Sequence, residues 1–96
     1  MRSMYLVAYD VADAKRLRRA HQTMRGYGDP LQFSVFLCRL SERERILMKG
    51  DILDAINQKE DRVVVIDLGP EGSAVEKRVE FIGVRQDFAE RSSLIV

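Results

Sequence analysis

The sequence is poor in the residues that most often build catalytic or cofactor sites. Its 96 residues include one cysteine, one histidine and no tryptophan. One cysteine cannot form an internal disulfide, which favours a reducing cytoplasm. Because no second cysteine or histidine lies within ligand spacing of Cys38, a zinc site there is excluded, and Cys38 is predicted to pack as a small apolar residue.

Long apolar runs and glycine-rich phosphate loops are also missing. No run approaches the roughly 18 residues that span a bilayer, so no membrane association is expected. The composition, 46% hydrophobic and 32% charged, is that of a globular chain. At this length a single domain is expected, over residues 1–84 with a tail over 85–96, and its small core favours oligomerisation.

Charge is unevenly distributed, although the net charge is only +1. Between positions 14 and 27 there are five basic residues and no acid: Lys15, Arg16, Arg18, Arg19 and Arg25. The acids gather later, from Glu42 to Asp61. Such asymmetry predicts one basic face suited to a polyanion.

Hydrophobic periodicity predicts alternating strands and helices. Four strands are expected at 4–10, 31–40, 63–68 and 77–84, the first and third buried on both faces. A helix over 14–27 follows Asp13 as N-cap, and a second runs from the capping box of Ser41 and Glu44 to position 57. The first helix is expected to bury Leu17, Ala20, Met24 and Tyr27, and the second Ile46, Leu47, Leu53 and Ile56.

This order predicts an α+β sandwich of the ferredoxin-like kind, with both helices on one face of a sheet that contains antiparallel strands. The last strand follows a loop rich in glycine, at 69–73. It is expected to add either to its own sheet or to the sheet of a partner subunit, since edge strands need covering.

Asp10 is the foremost candidate for chemistry, because it ends an apolar strand directly before the basic segment. A carboxylate there is suited to Mg²⁺, a hard cation that prefers oxygen ligands. One carboxylate is a poor site, and two from symmetry-related chains repel each other unless a cation lies between them. The alternative is that Asp10 only turns the chain or caps the coming helix.

The other candidates each have a structural alternative. Asp13 is explained by helix capping, with a supporting role at a metal-bound water left open. Tyr9 and Phe36 either stack on a base or, as is favoured, pack in the core. Ser34 is predicted to be buried in the sheet, and His21 to lie at the helix surface. The arginines either bind phosphate or solvate the helix; Arg16 and Arg19 share a side, and Arg18 points elsewhere.

Three segments resemble the CRISPR-associated protein two family of small spacer-acquisition endoribonucleases. The first is Tyr9-Asp10-Val11 with Asp13 and the basic Lys15-Arg16 behind it. The second is Tyr27-Gly28 followed by Gln32-Phe33-Ser34-Val35-Phe36, which is the most specific element. The third is the late hydrophobic strand together with the terminal strand near 79–84. The resemblance spans roughly residues 4–84.

The resemblance implies a homodimer of ferredoxin-like domains in which Asp10 of both subunits holds Mg²⁺, or Mn²⁺, and assists phosphodiester cleavage. It implies single-stranded RNA as substrate, or double-stranded DNA; the charge of the first helix makes Lys15, Arg16, Arg18 and Arg19 the candidates for binding it. It also implies a CRISPR integrase subunit as partner. The chain departs from the family pattern at Pro30, where many members have Arg, and at Leu37, where many have Glu.

Other functions remain open on the sequence. A non-catalytic dimeric adaptor that bridges integrase subunits and binds duplex DNA shares the fold and the basic face, and differs only in what Asp10 does. A toxin-like RNase of the same family is a further alternative. A small-molecule-sensing ferredoxin-like module is supported by the fold alone.

Overall fold

The computed structural model describes residues 1–84. Its elements follow the order βαββαβ and a short final helix. They are β1 (Ser3–Asp10), α1 (Ala14–Arg25), β2 (Gly28–Gln32), β3 (Val35–Leu40), α2 (Glu42–Ala55), β4 (Arg62–Pro70) and α3 (Ser73–Lys77). Neither α1, α2 nor α3 is long and apolar enough to cross a membrane.

The sheet has the strand order β2-β3-β1-β4, and all three neighbouring pairs are antiparallel. Both long helices cover one face, where Tyr5, Val7 and Tyr9 of β1 pack against buried residues of α1 and α2: Ala20, Met24, Met48 and Ile52. The expected ferredoxin-like α+β sandwich is thereby confirmed. Even-numbered β1 residues, among them Asp10, face the other side, which we call the open face.

The prediction of one strand over 31–40 is wrong in one respect: this segment forms parts of two strands that are joined as a hairpin. β2 ends at Gln32, β3 begins at Val35, and Phe33 and Ser34 form the turn between them. The pairing of β2 with β3 shifts register between Pro30 and Gln32, because proline has no amide hydrogen for the ladder. Ser34 therefore lies half-buried in a turn, not buried in the sheet as predicted.

Helix starts are confirmed, whereas some buried faces differ from the prediction. Asp13 caps α1 by accepting from the Arg16 amide, and Ser41 and Glu44 form the capping box of α2. In α1, Ala20 and Met24 are buried as expected. In α2 the expected core residues Ile46, Leu47 and Leu53 are exposed, and the buried ones are Met48, Ile52 and Ala55.

β4 was expected to be buried on both faces, and it is not. Val64, Val65 and Ile66 are all exposed in the single chain. The reason is the position of β4 at an edge of the sheet, beside β1 only. An apolar edge strand of this kind usually acquires a neighbour.

The strand predicted over 77–84 is also wrong within the chain. α3 occupies 73–77, and residues 78–84 form no strand. Val75 of α3 and the following Val79 instead pack on the open face against Met4 and Leu37. Addition of this segment to a partner's sheet stays a prediction. The tail over 85–96 lies outside the described residues, so the boundary after 84 stays a prediction as well.

Two glycines predict opposite effects of the same substitution. A Cβ on Gly28 would lie 2.5 Å from the Leu37 carbonyl oxygen and 2.6 Å from Cys38 Sγ, whereas one on Gly50 would meet nothing within 4 Å. We expect Gly28→Ala to lower the free energy of unfolding by about 1–3 kcal/mol through overpacking. Gly50→Ala, inside α2, is expected to raise it by about 0.5–1 kcal/mol. Urea unfolding at equal protein concentration measures both, and changes of the same sign contradict the packing described.

Candidate functional site

One end of the sheet gathers most of the candidate residues, and Asp10 stands on its open face. It is the last residue of β1 and pairs with Arg62, the first residue of β4. Its side chain is 83% exposed, and Oδ2 lies 3.8 Å from Nη2 of Arg62, itself 77% exposed. An ion pair so exposed adds little stability. Both groups are therefore available to a ligand.

Arg62 was not singled out from the sequence. Its position beside Asp10 follows from the register of β1 with β4, which no local pattern encodes. A guanidinium binds phosphate oxygens in a planar fork, and it also competes with a metal ion for the neighbouring carboxylate. Because Arg62 is exposed and its contact with Asp10 is a surface ion pair, its guanidinium is also accessible to a phosphate.

Asp61 holds the loop that follows Asp10, although the sequence indicated it only as one of the acids of the chain. Its carboxylate accepts from the amides of Ala12 at 2.9 Å and Asn57 at 2.8 Å, and from Nε of Arg16 at 2.8 Å. Its side chain is fully buried. The Arg16 guanidinium and these two amides hold the pKa of Asp61 well below its usual range. The signal in the sequence was an acid directly before an apolar strand.

The basic residues of α1 divide into two groups. Arg16 is only 23% exposed and is bound to Asp61, and Arg19 reaches the Asp54 carbonyl of α2 at 3.4 Å. Arg16 thus has a structural contact within the chain, and its predicted contact with nucleic acid stays a prediction. Lys15 and Arg18 are exposed and form no salt bridge within residues 1–84. The separation of Arg18 from Arg16 and Arg19 agrees with the predicted geometry.

Both aromatic residues proposed as base platforms are inside the protein. Phe36 is fully buried, and Tyr9 is buried with its hydroxyl donating to the Phe33 carbonyl at 2.7 Å. Burial also raises the pKa of Tyr9 to about 12. The packing alternative is therefore right for both. Cys38 is buried as well, which raises the pKa of its thiol to about 12 and confirms the apolar role expected.

The exposed aromatic at this end is Phe33, in the β2–β3 turn, and the histidine beside it is not isolated. The rings of His21 and Phe33 stack with centroids 4.0 Å apart and planes inclined by 2°. Nδ1 of His21 lies 2.8 Å from the Phe33 carbonyl oxygen. A carbonyl only accepts, so His21 carries a hydrogen on Nδ1. Sequence reasoning assigned Phe33 to a strand and missed this pair.

The residues around Asp10 meet part of what a divalent cation requires. Asp10 offers exposed carboxylate oxygen, the donor that Mg²⁺ prefers. One chain supplies too few ligands, since residues 1–84 contain no cluster of three or more His, Cys, Asp or Glu able to hold a metal. Mg²⁺ retains several waters and needs only one or two carboxylates. Asp10 therefore fits the ion as one ligand of a site that residues 1–84 of a single chain do not complete.

Comparison with known proteins gives concordant matches. Residues 1–74 match the family model described as CRISPR associated protein Cas2. A CRISPR-associated endoribonuclease Cas2 of Geobacter sulfurreducens is 41% identical over 96 residues, with all of both chains covered. Another, of Rhodospirillum rubrum, is 42% identical over 92 residues, covering 96% of this chain and 89% of the relative.

Solved structures agree. The crystal structure of Streptococcus pyogenes Cas2 matches with a TM-score of 0.72 and 32% identity, covering 83% of this chain and 99% of the other. A hypothetical protein of Thermus thermophilus matches with a TM-score of 0.73 and 27% identity, covering 88% and 94%. The family model, the sequence identities and the shared βαββαβ fold together show that this chain belongs to the Cas2 family of CRISPR-associated proteins.

Proposed function

We propose that this protein is a metal-dependent endonuclease of CRISPR adaptation that works as a cytoplasmic homodimer. Its substrate is single-stranded RNA, with double-stranded DNA as the second substrate to assay. The observation that carries the proposal is the exposed Asp10 carboxylate on the open face, beside Arg62 and at the start of the basic helix. The relatives from G. sulfurreducens and R. rubrum are named as endoribonucleases, which supports the same activity class.

The homodimer is supported by the apolar character of the open face. Val64 and Ile66 of β4 are exposed there, and Leu6 and Ala8 of β1, which pair with them, are half-buried. A twofold contact through this face buries apolar surface that a small domain lacks. It also brings both copies of Asp10, which lies on the same face, towards one axis.

The residues then have separate roles. The two Asp10 carboxylates hold the ion, which when bound supplies an activated water and stabilises the leaving oxygen. Arg62 neutralises the phosphate next to the scissile bond. Many family members have an arginine at the position of Pro30, and Arg62 supplies the positive charge that is missing there. Lys15 and Arg18 bind the phosphates that follow. Asp61 keeps the loop after Asp10 in place through the Ala12 amide.

Phosphate binding by α1 gives a salt-dependent prediction. Each phosphate contact on a single strand contributes about 0.7 to the slope of log K against log salt concentration. We expect the double variant Lys15→Ala, Arg18→Ala to reduce the slope for single-stranded RNA by about 1.4. Lys49→Ala, an exposed lysine of α2, serves as control and leaves the slope unchanged. Fluorescence anisotropy over a salt series measures both, and equal slopes in all variants contradict the role of α1.

The proposal as a whole is tested on the dimer fraction from size-exclusion chromatography. Labelled single-stranded RNA and duplex DNA are incubated with Mg²⁺, with Mn²⁺ or with EDTA. We expect the cleavage activity to co-elute with the dimer and to be abolished by EDTA. Cleavage that elutes elsewhere, or that persists in EDTA, contradicts it.

The non-catalytic adaptor is the second candidate, favoured by one observation. Leu37, where many family members have Glu, is buried in an apolar cluster with Met4 and Val75. No carboxylate thus stands at that position, and a dimer that only bridges integrase subunits and binds duplex DNA needs none. A dimer that binds duplex DNA and an integrase subunit but never cuts supports this candidate.

A further inference from the structure

Phe33 is unusual among the aromatic residues of the chain because it is displayed at a turn. Half of its surface is exposed, whereas Tyr5, Tyr9 and Phe36 are buried. Single exposed apolar side chains are common on protein surfaces. What distinguishes Phe33 is how firmly the structure holds it and what surrounds it.

Two side chains fix the turn that carries Phe33. The Tyr9 hydroxyl and Nδ1 of His21 both bond to the Phe33 carbonyl oxygen, at 2.7 and 2.8 Å. The His21 ring lies parallel to the phenyl ring at 4.0 Å. The ring is therefore held on one side by a stacked imidazole while half of its surface stays open. A ligand that stacks on it has little conformational entropy left to remove.

The surroundings of Phe33 favour a nucleic acid. The Tyr9 amide donates to the Ser34 carbonyl at 3.0 Å, so Asp10 and Phe33 flank the last hydrogen bond between β1 and the hairpin. Their Cα atoms lie within about 10 Å of each other, given strand spacing and the distance between consecutive residues. Arg18 precedes His21 by three residues and lies on the same flank of α1. The Phe33 ring packs on His21 of α1, on the helix-covered side of the sheet, whereas Asp10 faces the open side at the same end. The open ring thus lies beside α1 and its exposed Arg18, a candidate phosphate-binding cation.

We propose that Phe33, positioned by His21, is a stacking platform for one unpaired nucleobase of the substrate strand. The inference rests on the nuclease proposal and narrows it to strands with unpaired bases, because a base inside a duplex cannot lie on the ring. Stacking tolerates any base, since every base has a π face. The platform therefore predicts single-strand preference without sequence preference.

The test separates base contacts from phosphate contacts. Binding of two labelled single-stranded oligonucleotides of equal length is measured in EDTA, one with bases and one built from a stable abasic analogue. We expect Phe33→Ala to weaken binding of the base-bearing strand by about five- to a hundredfold and to leave the abasic strand unaffected. Phe33→Trp is expected to bind the base-bearing strand with the affinity of the unchanged protein. Ile46→Ala, which removes an exposed apolar side chain from α2, changes neither.

The outcomes that overturn the platform are distinct from failure of the nuclease. Equal loss of affinity for both strands, no loss for either, or dissociation of the dimer in Phe33→Ala each overturns it, the last by making Phe33 a subunit contact. Absence of binding of both strands by the unchanged protein overturns it as well. A dimer that shows the expected binding pattern but does not cut with Mg²⁺ leaves the platform standing and removes only the nuclease proposal.

Discussion

Asp10→Asn is expected to reduce Mg²⁺-dependent cleavage of single-stranded RNA by at least about a hundredfold, since the amide replaces the charged oxygen that holds the ion. Folding and binding in EDTA are expected to remain unchanged, because the side chain is 83% exposed and its contact with Arg62 at 3.8 Å is a surface ion pair. Initial cleavage rates of the purified dimer and its melting temperature measure the two effects.

The matched control is Asp54→Asn, which makes the same charge change at an exposed aspartate of α2. It is expected to cut at the rate of the unchanged protein. If Asp10→Asn also cuts at that rate, the activity does not come from this site, and the adaptor becomes the better account of the protein. A loss of cleavage accompanied by a lower melting temperature has a folding cause and speaks against a direct role.

Asp61→Asn is expected to be the most destabilising polar substitution at this end of the sheet. The variant removes the charge that pairs with Arg16 at 2.8 Å and leaves that largely buried guanidinium with only the exposed Glu60, at 3.7 Å, as an acidic partner. Breaking such a pair is strongly destabilising, so we expect the melting temperature to fall by about 10 °C or more. Thermal unfolding followed by circular dichroism measures the fall.

Glu60→Gln is the control for Asp61→Asn, because Glu60 also faces Arg16, at 3.7 Å, but its side chain is 59% exposed. It is expected to lower the melting temperature by less than about 3 °C. Similar melting temperatures for the two variants contradict the role assigned to Asp61 in holding the loop after Asp10.

The ionisation of Asp61 predicts that the stability of the folded protein depends on pH. The pKa of Asp61 is lowered in the folded protein, by Arg16 first and then by the Asn57 and Ala12 amides. A carboxyl with a depressed folded pKa contributes stability above its unfolded pKa, about 3.9, and loses it as the pH falls further. The difference in stability between the unchanged protein and Asp61→Asn should therefore narrow below about pH 4. A difference that is constant from pH 7 to pH 3 contradicts this.

Local signals in the sequence predicted the parts of the fold that depend on neighbouring residues. Asp13 and Ser41 begin the two long helices as expected, because a cap bonds to amides only two or three residues away. The hairpin within 31–40 was missed because its turn, Phe33-Ser34, contains no glycine, asparagine or aspartate, and the apolar alternation of a strand continues through it. Exposure of Val64 and Ile66 was missed because an apolar run cannot reveal that its strand lies at a sheet edge.

Among the residues of the candidate site, too, the sequence indicated those with a local signal and not those placed by long-range pairing. Asp10 was found because it ends an apolar strand, a feature that the sequence displays directly. Arg62 was not, because it reaches Asp10 only through the pairing of β1 with β4, 52 positions away in sequence. The stacking of Phe33 on His21 was missed because it depends on how the hairpin turn packs against α1. Arg16 was a candidate for phosphate binding, and its ion pair with the buried carboxylate of Asp61, 45 positions away, could not be read from the sequence.

Counting divalent ions bound by the homodimer tests the central claim most directly. Mn²⁺ titrated into protein of known oligomeric state, with free ion measured by electron paramagnetic resonance, gives the stoichiometry. Two Asp10 carboxylates sharing one site predict one ion per two chains, and none in the Asp10→Asn dimer. An ion bound to each chain of a stable monomer, or undiminished binding by the Asp10→Asn variant, contradicts the shared site and with it the proposed nuclease centre.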